Sequence, residues 1–265
     1  MAIKISNILL VWFEEIGKRT IRFMSDLGGI AIMFYKAFIN IFIPPFGFRR
    51  TLKQMLVFGI ESTPVVALTA LFTGMVLTLQ TTYEISKFGA QNYIGGVVGL
   101  SMIRELGPVL TSLMIAGRVG ASIAAEIGTM RVTEQIDALE TLAMNPVRYL
   151  VVPRFIAGLS MLPLLNAMAD FIGIGGGLMV AITTYDIPSK FYLKSLKDIV
   201  EPYDLFVGIS KTVVFGAIIA SVACYYGFKA RGGAEGVGRA TTVAVVYSCI
   251  IILLADVLLT ALFIG

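Results

Sequence analysis

The chain has 265 residues, 57% of them hydrophobic and only 14% charged, with a formal charge of +4 and a mean hydropathy of +0.87. A soluble globule carries roughly 45–50% apolar and about 25% charged residues, so this is the composition of an integral membrane protein, with room for about five spans of ~20 residues and none for a sizeable second soluble domain. The absence of histidine excludes His-based triads, His metal sites and imidazole relays; no basic stripe with interleaved aromatics points to nucleic acid, and Cys224 and Cys249 lie in apolar runs without ligand spacing.

The predicted architecture is an all-α integral membrane protein, divided into N-terminal interfacial and elbow helices (1–53) and a five-span membrane domain (54–265). Over residues 1–24, Ile5, Ile8, Leu9, Trp12, Phe13 and Ile16 alternate with Lys4, Glu14, Glu15, Lys18, Arg19 and Arg22, the pattern of an amphipathic helix lying in the interface. No short apolar core followed by a small-residue cleavage site is seen there, so no cleaved signal peptide is expected. Leu27 to Ile43 ends at Pro44-Pro45 and, with Lys36 and Asn40 inside, reads as an elbow rather than a full span. Spans are expected at about 55–80, 94–117, 155–183, 205–228 and 241–264. Segments 1–53, 118–154 and 229–240 hold 15 of the 21 Lys and Arg residues, against 4 in the opposite loops 81–93 and 184–204. The positive-inside rule then puts the N-terminus in the cytoplasm and the C-terminus outside.

Two stretches break the apolar pattern. Arg104 and Glu105 lie inside the second span, followed by Pro108. Neighbours on a helix point about 100° apart, so neither satisfies the other and each needs a separate partner or a wet cavity. An internal salt bridge is one reading; a functional cavity is favoured, because ionisable membrane residues default to substrate pathways. The second stretch, 131–145, reads as a short amphipathic helix capped by Thr133 and stopped at Asn145-Pro146. Ile136, Leu139, Leu142 and Ala143 share one face, with Glu134, Asp137, Glu140 and Thr141 on the others. It is either a lid over the bundle or a coupling helix that fits a groove on a cytoplasmic motor.

Other signals are weaker. G-A-E-G-V-G-R-A at 233–240 imitates a phosphate-binding loop but has Arg for the lysine and Ala for the hydroxyl residue. Asp170 and Asp256 read as separate polar anchors rather than an aspartyl pair. The Gly95–Gly99 and Gly173–Gly177 spacings suit close helix approach, either within one subunit or at a dimer face.

G-M-V-L-T-L-Q at 74–80, R-E-L-G-P-V-L at 104–110, A-G-R-V-G-A-S-I-A-A-E-I-G-T-M at 116–130, T-E-Q-I-D-A-L at 133–139, N-P-V-R at 145–148 and G-R-A-T-T at 238–242 resemble the MlaE (YrbE) permease family over roughly 50–265. The resemblance implies the membrane subunit of an ABC-type lipid transporter of the bacterial inner membrane, moving phospholipid or other lipid between the membranes and catalysing nothing itself. It implies a homodimer, a cytoplasmic ABC ATPase dimer that binds ATP and Mg, a periplasmic ring of MCE-domain proteins and, in many systems, a STAS-domain protein. No cofactor is expected in this chain. By motif, Leu77, Gln80, Ile85, Phe88, Arg104 and Glu105 match cavity-lining positions and Arg239 a basic one. The resemblance makes 131–145 the coupling helix, with Glu134, Ile136, Asp137, Leu139, Glu140 and Leu142 facing the ATPase. The stretch T-T-Y-E-I-S-K-F after Gln80 departs from the family pattern. The alternative function is an ion-coupled secondary transporter using Glu105, Asp170 and Asp256; an intramembrane hydrolase lacks any assembled nucleophile and base.

Overall fold

The structure, a computed structural model, describes the backbone of residues 2–42 and 47–264; the side chains of residues 1–13, 16, 19, 22 and 264 lie outside the description. Among the described residues there is no β-strand, and eleven α-helices follow in order: α1 (Ala2–Ile41), α2 (Phe48–Phe58), α3 (Thr63–Ser86), α4 (Ile94–Ser101), α5 (Gly107–Ile115), α6 (Ala121–Val132), α7 (Gln135–Thr141), α8 (Val152–Tyr185), α9 (Ser189–Ile199), α10 (Pro202–Lys229) and α11 (Gly233–Ile264). Five helical stretches are long and apolar enough to cross a membrane: 48–86, 91–132, 147–185, 202–229 and 233–263. They cover the five spans expected from hydropathy, the fifth to within one residue. The chain is a multi-pass, all-α membrane protein.

The N-terminal region differs from its sequence reading in one respect: interfacial helix and elbow are a single helix, α1, unbroken to Ile41. The apolar face expected for Ile5, Ile8, Leu9, Trp12, Phe13 and Ile16, and the Pro44-Pro45 stop, lie outside the described residues. The described part of α1 runs across several spans rather than along one. Phe23 meets Tyr247 of α11 with ring centroids 5.8 Å apart, and Phe34 meets Phe155 of α8 at 5.3 Å. Between them, Asp26 pairs with Lys229 of α10 at 2.5 Å and accepts a 3.1 Å hydrogen bond from the Tyr225 hydroxyl.

The spans are shaped by proline and glycine. Gly59 and a short 3₁₀ turn (Ile60–Ser62) separate amphipathic α2 from α3, which starts with Pro64 in its first turn. Span two is not a uniform helix, since π-helical turns at Met102–Leu106 and Ala116–Gly120 interrupt it. The first immediately precedes Gly107-Pro108. Proline has no N–H to donate, and its ring crowds the carbonyl four residues back, that of Arg104; a widened turn accommodates both effects.

Small residues set the closest helix contacts. A Cβ on Gly74 of α3 would sit 1.8 Å from the Gly173 carbonyl oxygen of α8, and one on Gly95 would sit 2.1 Å from the Tyr192 carbonyl oxygen of α9. Both small-residue stretches are therefore used within the subunit. Gly74→Ala is expected to cost about 3 kcal/mol, because the clash is with backbone that has no rotamer to change. The check is thermal unfolding of the purified chain, where a wild-type midpoint would show that the seam opens freely. The core proper, with Phe58, Ile127, Phe155, Leu162, Phe215 and Ile219, lies where α2, α6, α8 and α10 converge.

Candidate functional site

Arg104 and Glu105 each find a separate partner on α10. The Arg104 guanidinium pairs with Asp204, its Nε donating to Oδ1 at 2.5 Å. Asp204 is fixed in turn by the α10 N-terminus, where its Oδ2 accepts the Glu201 backbone N–H at 2.8 Å in a capping box. Glu105 pairs with Lys211, Nζ to Oε2 at 2.8 Å. The sequence reading placed an internal salt bridge and a cavity in opposition. In the fold both residues are ion-paired, yet their side chains keep 30% and 38% of their surface open.

Lys211 is the centre of the arrangement, and sequence reasoning missed it. Its side chain is wholly buried, at 0% exposure, and its ammonium lies 2.9 Å from Asp256 Oδ1 on α11. It also donates to the Thr260 hydroxyl at 2.7 Å and to the Arg104 carbonyl at 3.0 Å. Thr260 donates onward to Glu105 Oε1 at 3.1 Å. The Arg104 carbonyl is the one that Pro108 deprives of its helical donor. A signal was therefore present in the sequence: a proline four residues after an arginine frees a carbonyl, and Lys211, the one lysine within 205–228, is a long donor able to reach it. One cation thus ties spans two, four and five together inside an apolar bundle, where an unpaired charge would cost several kcal/mol.

Around this cluster, Leu77 and Ile85 are half-buried against the apolar group of Ile94, Val98, Met102 and Tyr192, while Gln80 and Phe88 are exposed towards the same end of α3. A narrow crevice between α3 and α5 continues towards the other end, lined by Val66, Thr69, Thr73, Leu106, Leu110 and Met114. Arg239 is not part of this group. It is exposed near the start of α11, 21 residues before Thr260, or about 31 Å along the helix. Asp170 and Asp256 are likewise apart in role. Asp256 joins Lys211, whereas buried Asp170 accepts a 2.9 Å hydrogen bond from Asn166 and faces Gly107. Among the described residues no cluster of three metal-ligating side chains occurs.

The opposite end carries α7. Its helix begins at Gln135, not at a Thr133 cap: Thr133 ends α6 and its hydroxyl bonds back to the Thr129 carbonyl at 2.8 Å. The chain turns between α6 and α7 through Glu134 in a left-handed conformation (φ 59°), and leaves α7 through Ala143 (φ 57°). Asn145 caps the next helical turn instead of stopping this one, accepting the Val147 N–H at 3.0 Å. Arg131 pairs with Asp137. Ile136 is fully buried and Leu139 packs on the core, so these two hold α7 in place. Leu142 is 69% exposed, and Glu134, Asp137 and Glu140 also face outward. The single face expected from the sequence is thus divided between an inward anchor and an outward apolar residue ringed by acids.

The profile of the family described as Permease MlaE matches residues 51–262. A probable ABC transporter permease protein of Rickettsia bellii is 49% identical over 256 residues, covering 97% of this chain and 99% of that protein. A probable ABC transporter permease protein of Synechocystis is 48% identical over 212 residues, 80% of this chain and 81% of its own. The intermembrane phospholipid transport system permease protein MlaE of Haemophilus influenzae is 36% identical over 259 residues, 97% and 99% of the two chains. With five spans and a match across nearly its whole length, the chain belongs to the MlaE permease family and is a membrane permease subunit of an ABC transporter.

Proposed function

We propose that this subunit conducts phospholipid between the inner and outer membranes of a bacterial envelope, as a homodimer driven by a separate ABC ATPase dimer that binds ATP and Mg. The observation that carries the reading is the pairing of two features at opposite ends of one bundle. At one end the Lys211 cluster leaves Arg104 and Glu105 half-open beside an apolar crevice. At the other, α7 presents Leu142 among acids. A lipid needs a polar contact for its headgroup and apolar walls for its tails; a motor needs a protruding element to grip. The phospholipid-transport name of the Haemophilus relative supports the choice of cargo.

In this proposal the α7 end is cytoplasmic, as the basic residues of α2 and the α10–α11 turn favour, and the C-terminus is periplasmic. Leu77, Gln80, Ile85, Phe88, Arg104 and Glu105 line the cavity, which opens towards a periplasmic MCE-domain ring; a STAS-domain protein is a further partner. Arg239 lies at the cytoplasmic end, away from the cavity mouth. Glu134, Asp137, Glu140 and Leu142 meet the ATPase, while Ile136 and Leu139 fasten α7 to the bundle.

The test is mass spectrometry of lipids retained by the purified transporter, before and after ATP. Retained phospholipid that ATP displaces is the expected result. Uptake driven by a proton gradient with no ATP dependence would favour the ion-coupled alternative instead.

A further inference from the structure

At the α7 end, a cleft unrelated to the Lys211 cluster opens between α2, the end of α6 and the start of α8. Open to solvent, it spans about 590 Å³ and is lined by Arg50, Lys53, Gln54, Glu126, Tyr149 and Arg154, together with apolar Met130, Leu150 and Pro153. It runs into a wider depression of about 990 Å³ that shares Arg50 and Tyr149 and adds Asn145 and Arg148. In the cleft three basic side chains, Arg50, Lys53 and Arg154, thus face one carboxylate. That carboxylate, Glu126, pairs with buried Arg154 at 2.7 Å, and Arg154 also donates to the Leu150 carbonyl at 2.6 Å. Arg154 is a braced wall of the site. The Arg50 guanidinium carbon lies over the Tyr149 ring, 3.4 Å from its centroid, a contact that holds the cation at the cleft wall.

The depth of the cleft in the membrane follows from its neighbours. Arg154 adjoins Phe155, the residue on which α1 rests through Phe34. Helix α1 contacts α8, α10 and α11 in turn and leaves Ile32, Tyr35, Phe38 and Phe42 exposed, an apolar face of the kind an interfacial helix turns to lipid. Helix α2 turns Phe48, Leu52 and Leu56 outward while Arg50 and Lys53 enter the cleft. Both helices place the cleft at headgroup level.

We propose that this cleft binds the headgroup of an anionic phospholipid of the surrounding leaflet, phosphate against Arg50 and Lys53, as a resident lipid rather than cargo. Charge separates this occupant from the motor subunit. The exposed face of α7 carries Glu134 and Glu140, with Asp137 already paired to Arg131, so a protein surface complementary to α7 is basic and is repelled by the cleft beside it. Anionic headgroups are attracted to basic pockets between membrane helices by about fivefold per well-placed cation near the surface, less where salt screens them.

The test uses the full chain purified in detergent, with native mass spectrometry counting phosphatidylglycerol and phosphatidylcholine bound from equal mixtures. Wild type is expected to favour phosphatidylglycerol about 30-fold, and the Arg50→Ala/Lys53→Ala double variant to fall towards parity. Both residues are exposed on α2, and an unchanged elution profile shows that the variant folds; Lys53→Arg should keep the preference. An undiminished preference in the double variant overturns the proposal. So does displacement of the lipid by millimolar inorganic phosphate, which would mark a site for free anions. Loss of the lipid on adding the ATPase subunit, with Lys53 cross-linking to its carboxylates, would assign the cleft to that protein. None of these outcomes bears on whether the cavity at the other end carries cargo.

Discussion

Lys211→Met is expected to destabilise the bundle by about 3–5 kcal/mol, the cost of breaking a buried ion pair by removing one partner. The ammonium is the shared counter-ion of Glu105 and Asp256 and the donor for the Arg104 carbonyl. Without it, two carboxylates confront each other in a low-dielectric setting and a proline-freed carbonyl is left bare. Thermal unfolding in detergent measures the loss. Stability alone does not separate a structural bracket from a working part, so the informative variant is the triple Lys211→Met, Glu105→Gln, Asp256→Asn. It removes the charges together, and replacing a whole buried ionic group is often neutral. The triple variant should recover most of the stability yet remain defective in ATP-driven lipid transfer. Wild-type transfer by the triple variant would reduce the cluster to a structural bracket.

The second large effect is expected at Leu142. Because its side chain is 69% exposed, Leu142→Asp should leave folding within about 0.5 kcal/mol of wild type. An exposed apolar residue on a protruding helix is where an interface anchor belongs, and losing an anchor costs about 2 kcal/mol or more of binding, roughly 30-fold in affinity. Co-purification of the ATPase should fall accordingly, and transport with it. Ile136→Asp is the contrast, since Ile136 is buried and its variant should lose folded protein altogether. Normal ATPase binding by Leu142→Asp would mean that the motor grips some other part of this end.

Much of this was legible from the chain alone, and the parts that were not share a cause. The five spans emerge from hydropathy because desolvation acts on each segment independently. The need for separate partners for Arg104 and Glu105 follows from helix geometry. Which partners they take does not, because Asp204 and Lys211 lie about a hundred residues away and only packing brings them together. Local chemistry misled at Thr133, whose hydroxyl can cap the next helix or bond back to the previous one; here it bonds back, and Glu134 takes the left-handed turn. Asn145 and Pro146 were read as a stop when they open the following helix. Gly95 and Gly173 suit two kinds of contact equally in the sequence, and only the backbone packed against each decides between them.

The glycine seam also governs how the molecule can deform. Where α3 and α8 touch backbone to backbone, no side chains stand between them to bend or repack, so the two helices form one stiff plate. Span two, beside it, is divided by its two π-helical turns into three shorter rods in series. A thrust arriving at α7 therefore reaches that plate through one π-helical turn, Val147–Val151, on the α8 side, and enters a lever with two such joints on the α6 side. The joint at Met102–Leu106 is the one that carries Arg104 and Glu105, so bending there works directly against their ion pairs with α10.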